Sequence, residues 1–301
     1  MSLSPRTPIR NVIEYCAARA VLATLAILPR PAAETLARCY AALIDLAIPR
    51  LRRVAHRNLE MALPQLSSAE RERIADGSFR SIARLLLALA RFPRITRENV
   101  REWIRYEGYE HFEAALKRGK GVLFATAHLG NWELSAFAHA LMSAPMHVVV
   151  RPLDNPLLDR LVTRLRTHSG NRVIEKKDFA RGILRALAKN QAVGILVDQN
   201  TSPEEGVFVD FFGIPACANT GFAKIAAHSG AAVIPGFALW DDSERRYVLR
   251  FFPPIEISGD IAEDTRRIQA AIENAIRQYP DQWLWIHRRW KTRPPGEPGL
   301  Y

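Results

Sequence analysis

From residue 121 onward, short apolar runs alternate with amphipathic helical stretches, and this alternation limits the possible folds more than any other feature of the chain. The runs are GVLFATA (121–127), MHVVV (146–150), AVGILV (192–197) and AAVIPGFAL (231–239). Helix-like segments lie between them at about 131–142, 155–168, 178–189 and 218–229. YVLRFF (247–252) adds a late strand, and 261–278 a final amphipathic helix. Strands this apolar cannot keep one face in water, so both faces of their sheet must be covered, and strands separated by helices run parallel. The reading is an α/β fold with a mostly parallel central sheet flanked by helices. Residues before about 100 read as almost wholly helical, punctuated at Pro29, Pro31, Pro49, Pro64 and Pro93. Ser67 or Ser68 is placed to cap a helix on which Ile74, Phe79, Ile82, Leu85 and Leu86 recur at helical spacing. The expected plan is a helical N-terminal arm over 1–100 and an α/β domain over 101–301.

Charge narrows the partners. The 301 residues carry 42 Lys and Arg against 31 Asp and Glu, a net charge of +11. Nucleic acid, anionic lipid and an acidic carrier protein all suit that sign. No helix-turn-helix, aromatic RNA-binding strand or zinc-finger pattern supports nucleic acid. Three cysteines, Cys16, Cys39 and Cys217, give neither a disulfide framework nor a zinc site and read as small, mostly buried hydrophobes. Nothing points to a metal or a redox cofactor.

The apolar stretch VLATLAIL (21–28) is shorter than the roughly 20 residues a spanning helix needs, and Glu14 and Arg19 interrupt the residues before it. A helix lying in a membrane interface, with Arg6, Arg10 and Arg19 available to headgroups, fits it, as does an ordinary buried helix. Residues 1–60 hold nine arginines against four acidic residues, among them the group Arg50, Arg52, Arg53 and Arg57. That group suits an anionic surface or a solvated helix face. Near the end, Arg288, Arg289, Lys291 and Arg293 interleave with Trp283, Trp285 and Trp290, which suits a membrane interface or a phosphate clamp.

The chemistry concentrates where GVLFATA ends in Ala127-His128-Leu129-Gly130-Asn131-Trp132-Glu133. A histidine leaving a buried strand end is well placed as a general base, since its pKa lies near neutrality. Glu133 can fold back across the turn at Gly130, bind the other ring nitrogen and steady the imidazolium, as an orienting carboxylate does in a triad. By itself the H-x4-E spacing is weak, and a structural histidine beside a surface glutamate also satisfies it.

The surrounding blocks strengthen the case. AHLGNWE resembles the H-x4-E motif of the lipid A late acyltransferases and of the related mycobacterial phosphatidylinositol mannoside acyltransferases. VVVRPLDNP around Arg151, VDQN at Asp198 and Gln199, GVFVDFFGIPACANTG (206–221) and QWLWIHRRWKTR near the end agree in order. The resemblance runs from about residue 10 to 293. It departs from the family in the short, charge-broken N-terminal stretch and in Asp210, where an uncharged residue is more familiar.

The resemblance implies transfer of a fatty acyl chain, usually from acyl carrier protein, to a hydroxyl of a glycolipid such as a lipid A precursor. Transfer would occur at the cytoplasmic face of the inner membrane, where peripheral attachment is one way for the protein to be held. It implies His128 as base, Glu133 as its partner, and Asn131, Arg151, Asp198, Gln199, Phe211, Gly213 and Arg288 as residues that shape the site or bind substrate. Each has a plainer counterpart. Arg151 either reaches the site from its strand end, the favoured reading, or pairs with Asp154. Asp198 can cap the turn at Asn200, and Phe208, Phe211 and Phe212 can be core rather than an acyl-chain pocket. Cys217 carries little weight as a nucleophile. An acyl-coenzyme A-dependent acyltransferase is the competing enzyme, although such enzymes more often carry H-x4-D. The competing non-enzyme is a basic membrane-binding protein.

Overall fold

A computed structural model describes residues 7–175 and 179–301, so Arg6 lies outside the described residues. Four helices open the chain: α1 (Pro8–Ile27), α2 (Arg30–Ala47), α3 (Pro49–Ala62) and α4 (Ser68–Arg91). Pro29, Pro31 and Pro49 fall at or beside the helix starts, where a missing N–H costs nothing, so the prolines divide the arm as expected. Ser67 caps α4 in a reciprocal box with Glu70, which the Ser67/Ser68 signal anticipates.

The sheet begins with β1 (Ile104–Glu107), followed by α5 (Tyr109–Lys117), β2 (Val122–Thr126), α6 (Trp132–Met142), β3 (His147–Val150), α7 (Pro156–Thr167) and β4 (Arg172–Glu175). Then come α8 (Phe179–Leu187), β5 (Ala192–Leu196), a hairpin of β6 (Gly206–Phe211) and β7 (Ile214–Asn219), and α9 (Gly221–Ser229). The chain continues with β8 (Ala232–Asp241), β9 (Arg246–Phe251) and α10 (Ile261–Gln278). Seven strands form one sheet in the order β1-β9-β8-β2-β5-β3-β4, parallel at every pairing except β8 with β9. The mostly parallel α/β architecture expected from the alternation is the one observed.

Strand β2 explains why its sequence is continuously apolar. Val122 and Phe124 enter a core shared with Phe112 of α5 and Leu134, Phe137 and Ala138 of α6. Leu123 and Ala125 enter the opposite core with Phe222 of α9 and Ile268, Ile272 and Ile276 of α10. The strand has no wet face.

Helices α3 and α4 supply Ala55, Leu59, Ala62 and Ile74 to that second core, so half of the arm belongs to the body of the molecule. Only α1 and α2 form a separate packing unit, with Leu25, Ala33, Ala37 and Ala41 set against Ala83, Leu87 and Ala90 of α4. Their outer surface is apolar: Ile9, Val12, Ile13, Ile27, Leu43, Leu46 and Ile48 are all exposed. Among the described residues no helix is long and apolar enough to cross a membrane. Cys217 is buried, but Cys16 and Cys39 are exposed on these helices, against the expectation of mostly buried cysteines.

Candidate active site

His128 leaves the carboxyl end of β2, and Asp198 the carboxyl end of its parallel neighbour β5. Their backbones stay in register because Val197 N–H donates to the Thr126 carbonyl at 3.0 Å. In an open α/β sheet this is where side chains from adjacent strands converge. His128 Nδ1 lies 2.9 Å from Asp198 Oδ1, and the His128 amide donates to Oδ2 at 2.9 Å. Trp283 Nε1 donates to the same Oδ2 at 2.8 Å.

Asp198 is 2% exposed. Burial on its own would raise its pKa, but the His128 charge, the His128 ring and amide hydrogen bonds and the Trp283 indole outweigh burial and hold it at about 2. The carboxylate is therefore ionised at neutral pH and can only accept hydrogen bonds, so the ring proton sits on Nδ1 and Nε2 keeps its lone pair. The imidazole is partly open to solvent, and its Nε2 has the Gln199 amide nitrogen 3.4 Å away. A base with a fixed tautomer and an accessible nitrogen is the result.

The turn after His128 is held from outside the motif. Gly130 adopts φ +65°, and a Cβ there would stand 2.0 Å from the Ala238 carbonyl oxygen, so only glycine fits. The Gly130 amide donates to the Gln282 carbonyl, and Leu284 N–H donates to the His128 carbonyl at 3.0 Å. The C-terminal block QWLW thus lies along the turn that follows His128. Trp283, Trp285 and Trp290 are buried, which overturns their reading as interfacial tryptophans. They occupy the core because the segment that carries them closes the site from below.

Three expectations about neighbouring residues change. Glu133 does not orient the imidazole: both of its oxygens engage Arg166 of α7, at 2.5 and 2.9 Å, and Asp198 occupies the orienting position. Spacing suggested Glu133, but it lies in the first turn of α6, where its side chain reaches the next helix instead of folding back. Asn131 is not positioned for substrate. It is fully buried, and its Oδ1 caps α6 by accepting from Leu134 N–H at 3.0 Å. Phe211 is core: it is fully buried against Trp283 and Trp290, because the β6–β7 hairpin folds over the C-terminal block.

Gly213 and Phe212 form the two-residue turn of that hairpin, both at positive φ, and the Gly213 amide donates to Asp210 Oδ1 at 2.8 Å. The FFG sequence is accounted for by the turn, and Asp210 by its cap. Arg151 is 79% exposed and pairs with Asp154, the plainer of its two readings. Arg288 stacks over Tyr301, whereas Arg289 is wholly buried, bonded to the Cys217 carbonyl and Gln269, and so cannot act as a surface clamp. Arg52 is likewise engaged, by Asp45, Glu72 and Asp76, and is not a free headgroup contact.

A cavity lies between α6 and the sheet, and its lining comes nearest to the histidine at Trp132. Trp132, edge-on to His128 at 4.9 Å between ring centres, lines it together with Glu133 and Arg166. Its walls beyond them are Phe124, Met146, Leu249 and Phe251. Sequence reasoning missed both this cavity and Arg166, since nothing in the local pattern of α7 distinguishes Arg166 from Arg160 or Arg164. Among the described residues no cluster of His, Cys, Asp and Glu could hold a metal ion.

The chain is similar to known proteins over most of its length. The model of the bacterial lipid A biosynthesis acyltransferase family matches residues 6–292. The chain is 32% identical to the lipid A biosynthesis lauroyltransferase of Escherichia coli K12, over 84% of this chain and 83% of that one. It is 33% identical to the palmitoleoyltransferase of the same organism, over 85% of each, and 26% identical to its myristoyltransferase, over 82% of this chain and 77% of that one. With a strand-end histidine, a cavity lined by the neighbouring Trp132 and a match over nearly the whole length, the chain belongs to the bacterial lipid A biosynthesis acyltransferase family.

Proposed function

We propose that this acyltransferase moves a fatty acyl chain from the thioester of acyl carrier protein to a hydroxyl of a lipid A precursor, with His128 as general base. The observation that carries the reading is the buried Asp198 carboxylate on His128 Nδ1, which leaves Nε2 as the proton acceptor. Nε2 takes the acceptor hydroxyl's proton as the oxygen attacks the thioester carbonyl. The C–S bond then breaks, and the proton passes from Nε2 to the departing thiolate. Asp198 positions the ring and stabilises its charged form. The Glu133–Arg166 ion pair lines the same cavity, in which the donor chain lies. Gln199 borders the acceptor side.

The exposed apolar face of α1 and α2 supports peripheral docking on the inner membrane. Helix α1 also packs beside the start of α7, where the Asn155 side chain donates to the Asn11 carbonyl at 3.0 Å. The exposed Arg10, Arg19, Arg50 and Arg53 would face headgroups. The +11 charge favours an acidic carrier protein as donor. The test is radiolabel transfer by purified protein from acyl carrier protein to a lipid A precursor at fixed detergent, with acyl-coenzyme A as the alternative donor. Transfer from the carrier that weakens with salt and vanishes in His128→Ala is expected. Comparable turnover with coenzyme A and no salt dependence would reject the donor, and full activity in His128→Ala would reject the base.

A further inference from the structure

The far end of the cavity holds a feature that a purely apolar pocket does not need. On α6, Trp132 and His139 both line the cavity, two turns and roughly 10 Å apart along the helix. His139 is 2% exposed and ringed by Phe112, Phe124 and Phe251. Its Nδ1 lies 3.0 Å from the Tyr106 hydroxyl of β1, and its Nε2 has no hydrogen-bond partner. Burial drives its pKa down to about 4, so the ring is neutral. A buried polar atom without a partner is uncommon and calls for an explanation.

The opposite wall is made by glycines inside strands. Gly194 of β5 sits beside Phe124, and Gly236 follows two residues after Ile234, the other partner of Phe124. Both line the cavity. Glycine weakens a strand interior and marks places where something approaches the backbone closely. At Gly194 the space is taken by Met146, whose Cε would stand 2.8 Å from a Cβ, whereas at Gly236 the nearest neighbour, Phe124 Cδ1, would be 3.5 Å away, so there the missing side chain leaves room rather than relieving a clash.

We infer that the His139–Tyr106 pair is the floor that sets the length of the acyl chain this enzyme accepts, the chain running from Trp132, beside His128, past Gly236 to end against the His139 ring. This rests on the acyl-transfer reading above. A longer chain would have to displace a ring pinned by a hydrogen bond in surroundings with no alternative partner. Such a stop is stiff, whereas a methionine or leucine floor yields. One methylene too many in a closed apolar pocket typically costs about 10–200-fold in discrimination. A sharp optimum is therefore expected rather than a broad one.

The experiment uses the full-length protein, an equimolar mixture of acyl carrier thioesters of successive even chain lengths, and mass spectrometry of the acylated lipid. His139→Ala should move the optimum to longer chains, raising the ratio of the next longer product to the wild-type product by about tenfold or more. Tyr106→Phe loses one oxygen and should leak towards the same longer product. Gly236→Ala narrows the opposite wall and should move the optimum to shorter chains. Wild-type product ratios in folded His139→Ala overturn the inference. If His139→Ala does not fold, wild-type ratios in Tyr106→Phe overturn it instead. Failure of the underlying reading looks different: the wild-type protein would transfer no chain from any donor.

Discussion

Replacing Asp198 by Asn tests the catalytic geometry with little change of shape. In the native site Oδ2 accepts from the His128 amide and the Trp283 indole, and Oδ1 faces Nδ1. An asparagine has one acceptor oxygen, and the two fixed donors claim it. Its NH2 then faces Nδ1, which must accept, so the proton moves to Nε2 and removes the lone pair that the acceptor hydroxyl needs. Loss of a general base lowers turnover by about 10²–10⁴-fold, and a locked wrong tautomer should fall toward the upper end. Exchanging a charge-assisted hydrogen bond for a neutral one costs the fold about 1–3 kcal/mol, a drop in melting temperature of roughly 2–10 °C. Initial rates of acyl transfer across pH, paired with thermal melts, separate the two effects. A folded Asp198→Asn protein with a kcat close to wild type would refute the assignment. So would Glu133→Gln matching the loss in Asp198→Asn with an identical pH profile, since that would return the orienting role to Glu133.

Glu133→Ala leaves Arg166, 19% exposed, without its partner and should cost about 3 kcal/mol; melts should recover in part when Arg166 is also changed to Met, and an unchanged melting temperature in the single variant would count against the pairing. His139 and His287 are both held down, from 6.5 to about 4, chiefly by burial. The unfolded chain therefore binds protons in that window that the folded chain does not. Stability is full above about pH 6.5 and falls by about 3 kcal/mol per ring as pH drops to about 4. Denaturant unfolding of His139→Phe should show a shallower acid slope, and a slope equal to wild type would refute it. Ile9→Glu with Ile13→Glu should lower partitioning onto anionic vesicles by about 10–100-fold, since each side chain is more than 60% exposed and free to enter the interface; sedimentation equal to wild type would remove α1 from the membrane face.

Elements written in local patterns were legible in the sequence. The apolar runs around Phe124, Ile195 and Ile234 identify buried parallel strands, because a strand covered on both faces has no reason to alternate. Proline positions and the Ser67–Glu70 box divide the arm, because caps depend on residues three positions apart. The place of His128 at the end of such a strand was legible, as was the turn that must follow at Gly130. The short edge strands β1 and β4 were not found, since IRYE and RVIE are too short and too polar to announce themselves. Neither was the orienting carboxylate. Glu133 is five residues from His128 and Asp198 is seventy, yet β2 and β5 lie side by side, so pairing in the sheet decides which one meets the ring. The same holds for Trp283, whose indole reaches Asp198 only because the C-terminal segment returns under the turn. His139 and Gly236 are unremarkable where they stand in the chain, and only the packing of α6 on the sheet makes them two walls of one cavity. Local order follows from neighbours along the backbone; the site follows from contacts that long loops must close, and those are fixed by the tertiary fold.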